Sequence, residues 1–291
     1  MSHKSLKHRA IIITGGGRGL GKAMARAFVL AGADVMITGG RAAAELEAAR
    51  AELAVLGGGR CVAMLADVAD AAACERVVAA TEAQFGKVDV LINNAARSGA
   101  EVYPGKGYAD QPRFWEADVQ VYRDLVLANV TGPFMMARAV VQCMVERGFG
   151  RIINISTSRP TMLFDAGGPY GPAKAALEAS SRIWARQLEG SGVTVNVLLP
   201  GGAADTALIP GDNVGQRAAP WHPENGPQPE GSYAGLLPPE VMLAPALWLA
   251  SDASGAVNGG RFVGRNWDPA LPDAQAAAAA RAESIDQPHI M

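Results

Sequence analysis

The run Tyr170-Gly171-Pro172-Ala173-Lys174 sets a phenol and an ammonium four residues apart, which on a helix puts both on one face; Pro172 suits a first helical turn. An ammonium beside a phenol favours the phenolate and lowers a pKa that is about 10 when unperturbed. Such a tyrosine can give and take a proton. An exposed helix face also carries this pair by chance, so its surroundings matter. Upstream, the apolar run Arg151 to Ile155 ends in Ser156-Thr157-Ser158, which is either a set of working hydroxyls at a strand end or a plain Ser/Thr loop. Near the start, Thr14-Gly15-Gly16-Gly17-Arg18-Gly19-Leu20-Gly21 follows an apolar run and opens into a helix. A turn so rich in glycine lets the backbone approach a pyrophosphate at a helix N-terminus, where free N–H groups and the helix dipole favour negative charge. Tight helix packing would call for the same glycines. Gly16, Gly21 and Lys22 also match a P-loop, but residue 23 is Ala where a magnesium-binding hydroxyl is needed, and the nucleotide-triphosphatase reading fails.

The elements that must hold these groups alternate. Strand-like runs fall at Ala10 to Thr14, Ala33 to Thr38, Val62 to Leu65, Val88 to Ile92, Arg151 to Ile155, Thr194 to Leu199 and Arg261 to Val263. Helical patterns lie between them, at Gly19 to Leu30, Ala42 to Leu56, Ala71 to Phe85, Trp115 to Arg147, Tyr170 to Gly190 and Pro239 to Ser251. Near-continuously apolar strands alternating with helices predict an α/β protein, a doubly wound parallel sheet of about seven strands with helices on both faces and one domain. Two stretches break the rhythm, Arg97 to Arg113 and Pro200 to Pro238. Both follow strand ends, where such folds place ligands, and structureless connections beyond about 15 residues are uncommon without a role. The tail from Ala270 to Met291 holds an alanine-rich run that could form one helix; disorder and packing against another subunit are both open there.

Composition bounds the function. Of 291 residues, 49% are hydrophobic and 19% charged, which excludes a disordered or fibrous chain. With 26 Lys plus Arg against 28 Asp plus Glu there is no cationic excess for nucleic acid. Cys61, Cys74 and Cys143 and the four histidines show no metal-ligand or disulfide spacing, so no metal site is expected. No apolar stretch approaches the roughly 18 residues of a membrane span, and a cytoplasmic protein with no membrane partner is expected.

Over about residues 8 to 265 the chain resembles the short-chain dehydrogenase/reductase family. The resemblance rests on the Thr14 to Gly21 turn, Asp67-Val68, Asn93-Asn94-Ala95-Ala96, Asn129 within Leu127 to Gly132, the Ile153 to Thr157 strand end, Tyr170-x-x-x-Lys174 and Pro200-Gly201, all in the family's order. It implies a Rossmann fold, a nicotinamide dinucleotide, and hydride exchange with a carbonyl or alcohol carbon. It implies Tyr170 as the acid or base, Lys174 on the ribose hydroxyls, Asn129 on a water path from Lys174, and a hydroxyl orienting the carbonyl. That hydroxyl, usually serine, falls on Thr157, whose methyl crowds the site; flanking Ser156 and Ser158 leave the assignment open by one residue. Ala96 replaces the family's usual glycine. On the cofactor side the resemblance implies Thr14, Gly15, Gly17, Arg18, Leu20, Asp67, Val68, Asn94, Pro200, Gly201 and Thr206, with Asp67 on the adenine amino group and Thr206 on the nicotinamide amide.

The second strand ends Ile37-Thr38-Gly39-Gly40-Arg41 without the acid that holds a bare ribose. Arg41 and Arg18 are instead placed for a 2′-phosphate, favouring NADP over NAD. On the substrate side, Arg97 to Ala128 interpose 32 residues before Asn129, including Tyr103, Tyr108, Phe114 and Trp115. The later loop carries Leu208, Ile209, Trp221, His222 and Tyr233. These side chains would cover a pocket for a moderately bulky ketone or alcohol, or pack on a neighbouring subunit. His222 reads as a loop residue. A dinucleotide-binding sensor or scaffold, and a lyase or epimerase on the same scaffold, remain the alternatives. The resemblance also implies a homo-oligomer, tetramer or dimer, formed through the two long helices.

Overall fold

Strand β1 (Ala10–Ile13) is buried at every position, and its side chains alternate between two cores: Ile11 and Ile13 enter one, Ile12 the other. A strand with apolar groups on both faces needs helices on both. The chain supplies them in sequence as α1 (Gly19–Leu30), β2 (Asp34–Gly39), α2 (Ala43–Ala54), β3 (Cys61–Leu65), α3 (Ala71–Phe85) and β4 (Val90–Asn93). After a short 3-10 turn come α4 (Val119–Val126), a π turn (Leu127–Thr131) and α5 (Gly132–Glu146). Then follow β5 (Gly150–Ile155), α6 (Arg159–Leu163), α7 (Tyr170–Gln187), β6 (Val193–Leu199), α8 (Leu243–Leu249), β7 (Arg261–Val263), α9 (Asp273–Ala280) and β8 (Arg281–Ala282). The computed structural model describes residues 6–98, 113–163, 168–206, 208 and 235–282.

The strands form one sheet in the order β3-β2-β1-β4-β5-β6-β7-β8, parallel throughout except for β7 with β8. Because the winding reverses between β1 and β4, a crevice opens at their carboxyl ends. This is the Rossmann-like sheet expected from the apolar runs. Helix ends follow local chemistry: the Asp70 carboxylate accepts the Ala72 amide at the start of α3, and Gly86, at φ 82°, closes that helix in the left-handed region.

Three details go beyond what the apolar pattern predicts. There are eight strands rather than about seven, because Arg281 and Ala282 pair antiparallel with Phe262 and Arg261. The single helix expected from Trp115 to Arg147 is interrupted by the π turn and begins only at Val119. The alanine-rich tail helix packs on its own chain, with Ala276, Ala277 and Ala280 buried in the core that holds Trp248 and Trp267. The run Val119–Glu146 is long and apolar enough to cross a membrane by length and composition, and 44% of that stretch is buried inside the protein.

Candidate active site

At the crevice lies a cavity of about 870 Å³. Its first wall is the glycine-rich turn. Gly15 sits at φ 65°, and a Cβ on Gly21 would meet the Gly15 carbonyl oxygen at 2.2 Å, so this cradle closes only with glycine there. Gly15, Gly17, Arg18 and Leu20 line the cavity. No side chain caps α1, whose N-cap is Arg18, and no acid sits in its first turn. The geometry fits an anionic diphosphate. Lys22 turns away to pair with Glu52 on α2, so it does not act as a P-loop lysine. Arg41 lines the same wall, as do Asp67 and Val68 after β3; the Asp67 carboxylate also accepts the Ala69 amide at 3.0 Å. Arg18 Nη1 lies 3.8 Å from Glu45 Oε2, an acid on α2 that the sequence reading passed over.

Some expected residues act behind the wall rather than on it. Thr14 is buried, and its hydroxyl accepts the amides of Asn94 and Ala95, each at 3.0 Å, tying the end of β1 to the end of β4. The Asn94 side-chain amide donates to the carbonyls of Thr14 (2.9 Å) and Gly15 (3.1 Å), bracing the turn while Asn94 itself lines the cavity. Pro200 and Thr206 line the far side, and the Thr206 methyl would lie 3.1 Å from a Cβ on Gly19. Gly201, at φ 96°, does not line it; a Cβ there would strike Val263 and Arg265.

At the other end Thr157, Tyr170 and Lys174 meet. Lys174 is 2% exposed; its ammonium donates to the Ile155 carbonyl at 2.8 Å and lies 5.8 Å from the centroid of the Tyr170 ring. Burial brings its pKa down to about 8, against a smaller upward pull from the Glu178 carboxylate. The flanking serines are committed elsewhere: Ser156 Oγ donates to Glu178 at 2.6 Å, and the Ser158 and Thr161 hydroxyls bond each other at 2.8 Å. Thr157 is therefore the hydroxyl residue of the three left facing the cavity without such a bond, although Ser156 also lines it.

Asn129 is fully buried in the π turn and does not line the cavity. Its Oδ1 accepts the Arg97 amide at 2.8 Å and its Nδ2 donates to the Arg97 carbonyl at 2.9 Å. The Arg97 guanidinium in turn meets Asp124 at 3.1 Å, and Arg97 and Ser98 line the substrate side with Leu208 and Leu236. The ends of the long loop after β6 are drawn together by a bridge between Ala204 and Leu237. Phe114 and Trp115 stack edge to face at 5.0 Å, exposed and off the cavity wall. Tyr103, Tyr108, Ile209, Trp221, His222 and Tyr233 lie outside the described residues.

Below the site sit two polar groups that the sequence reading missed. Glu178, one turn beyond Lys174, forks to Arg261 of β7 at 3.0 and 3.1 Å. Asn154 links Asn93 (2.8 Å) to Ser181 (2.7 Å). The signal was there: Tyr170, Lys174 and Glu178 share a face at four-residue steps, and Arg261 is a charge inside an apolar strand.

A family model described as short chain dehydrogenase matches residues 9–213. A D-threitol dehydrogenase from Mycolicibacterium smegmatis is 31% identical over 267 residues, covering 89% of this chain and 92% of that protein. Among solved structures, a short chain dehydrogenase from Burkholderia cenocepacia in complex with NADP is similar at TM-score 0.71 and 26% identity, over 89% of this chain and 97% of the other. A 3-oxoacyl-(acyl-carrier protein) reductase with bound NAD from Brucella melitensis gives 0.72 and 31%, over 89% and 90%. With the family match spanning well over half of its length, and the matching motifs gathered at the crevice of a Rossmann-like sheet, the chain belongs to the short-chain dehydrogenase/reductase family.

Proposed function

We propose that this protein is an NADP-preferring oxidoreductase that interconverts a carbonyl and an alcohol on a small organic substrate. The observation that carries the reading is the convergence of Tyr170, Lys174 and Thr157 at one end of the cavity whose other end is the glycine-rich turn. Gly15, Gly17, Arg18, Leu20, Arg41, Asp67, Val68, Asn94, Pro200 and Thr206 would hold the dinucleotide, with Thr14 and Gly201 shaping the backbone around it. When bound, that cofactor supplies or takes the hydride. Tyr170 donates a proton to the carbonyl oxygen in reduction and removes it from the alcohol in oxidation. Lys174 biases that ionisation, and the Thr157 hydroxyl orients the oxygen. Asn129, read as supporting a water path from Lys174, also clamps the Arg97 segment beside the substrate. NADP preference is supported by two arginines, Arg18 and Arg41, on a wall where β2 itself ends without an acid, although Glu45 and Asp67 also line it. The reading extends to a homo-oligomer in the cytoplasm; Cys61, Cys74 and Cys143 are free thiols, as a reducing compartment keeps them.

Paired titrations with NADPH and NADH, followed by a ketone and alcohol panel on the tighter form, test the cofactor and the chemistry together. Tyr170→Phe is expected to lower kcat by about 10²–10⁴-fold while dinucleotide binding persists. Turnover left undiminished by this substitution excludes the mechanism. NADPH binding with no turnover across the panel would favour a sensor instead.

A further inference from the structure

Arg261 is the largest fully buried side chain of the described residues, 1% exposed, and it lies under the reacting end of the cavity rather than at the surface. Its Nε reaches both oxygens of Glu178, and its Nη2 donates to the Thr157 carbonyl at 3.1 Å. The same Glu178 carboxylate accepts the Ser156 hydroxyl at 2.6 Å. One ion pair therefore holds two consecutive residues of the strand end that presents Thr157, and it joins β5, α7 and β7. A core buries such a pair only at a desolvation cost that apolar residues of similar volume avoid, so stability alone is a weak reason for it. Here the pair also stands one helical turn from Lys174, whose ammonium Glu178 stabilises.

We propose that Glu178 and Arg261 are positioning residues for the reaction: the Arg261 fork fixes the Thr157 backbone that aims its hydroxyl, and the balance of the two charges sets the field at Lys174. The proposal rests on the Tyr170 and Lys174 reading above. Among the described residues, other charges on the elements around Lys174 are few. α6 contributes Arg159 at its first position, and α4 contributes Asp124, held by Arg97 and Gln120, and the exposed Arg123. The π turn and the adjoining ends of β5 and β6 present amides, hydroxyls and carbonyls, while α7 itself adds Arg182 and Arg186 further along.

Removing either member alone changes the charge near Lys174 with opposite sign, which loss of packing alone does not predict. Glu178→Gln leaves the Arg261 cation and lowers the Lys174 protonation midpoint; Arg261→Gln leaves the carboxylate and raises it. Each shift is expected to be on the order of one pH unit. The midpoint is read by NMR on full-length protein carrying isotope-labelled lysine, the Lys174 resonance being assigned with Lys174→Met, so no substrate is required. Arg261→Lys keeps the charge and loses the fork. It should leave the Lys174 midpoint in place and lower kcat about tenfold on the panel substrate, and it carries the test should a single neutralised variant not fold. Midpoints that stay fixed in both neutralised variants or move in the same direction, or an undiminished kcat in Arg261→Lys, overturn the proposal. Its failure is separable from failure of the acid–base reading: undiminished turnover in Tyr170→Phe overturns that reading and the proposal with it, whereas midpoints that stay fixed while Tyr170→Phe is inactive overturn the proposal alone.

Discussion

Lys174 is ionised at neutral pH although it is buried, and this gives the cofactor-free protein a pH signature. Its folded pKa, about 8, lies below the ordinary lysine value of 10.5. Between those two values the unfolded chain carries a proton that the folded protein has lost, so stability rises with pH across that window; below about 8 both states hold the proton and the penalty is constant. The full effect is on the order of 3 kcal/mol at most. Urea titrations at stepped pH should show this rise in wild type and a flatter profile in Lys174→Met, and parallel profiles would rule it out. On the cofactor side the residue to test is Glu45. Its carboxylate competes for Arg18 at 3.8 Å, and exposed pairs of this kind are worth about 0–1 kcal/mol. Glu45→Gln should therefore tighten NADPH by about two- to fivefold and leave NADH unchanged in calorimetric titrations.

The π turn shows what an element contributes that its residues do not. A helix continuing straight from α4 into α5 would satisfy its own backbone; the widened turn at Leu127–Thr131 carries Asn129 inward onto the amide and carbonyl of Arg97. Asn129→Ala leaves both Arg97 groups without those partners in a largely buried place, at about 1–3 kcal/mol for each group that stays dry. A loss of about 2–4 kcal/mol in denaturant unfolding, with a substrate KM that rises more than kcat falls, is the expected result; an unchanged midpoint would mean that water replaces the amide. The sequence could name Asn129 through its motif, but the clamp to Arg97 was not legible, since it spans 32 residues and depends on the turn's width. β8 was hidden for a similar reason. Arg281-Ala282 has no strand propensity of its own and becomes a strand only because the edge of β7 is there to pair with. By contrast α1, α3 and β7 were legible to the residue, because their apolar patterns and flanking glycines are local signals.

At the scale of the molecule, the doubly wound sheet places two distant sequence clusters, the turn after β1 and the Ser-Thr-Tyr-Lys set that follows β5 and opens α7, at one crevice, as the family resemblance implied. Which outer surfaces are covered did not follow. Phe134 on α5 and Ile183 on α7 are 48% and 56% exposed, and Phe134 meets Trp184 at 6.5 Å, so apolar side chains of the two helices come together at the surface. Tyr122 and Val145 add exposed apolar surface on α4 and α5. Apolar surface shared by adjacent helices is where the proposed homo-oligomer would form its contact. A second copy of the chain, meeting it across a two-fold axis, would cover each residue with its own counterpart. Charge placed there should then repel itself across the axis. Phe134→Glu with Ile183→Glu is expected to convert the proposed oligomer to monomer in multi-angle light scattering, while circular dichroism shows the sheet and helices retained. Lys174 lies on the same helix as Ile183, with its side chain buried away from this face, so dinucleotide binding should weaken only as far as α7 depends on its partner for rigidity. A wild-type protein that is already monomeric at micromolar concentration would remove the patch's assignment to self-association.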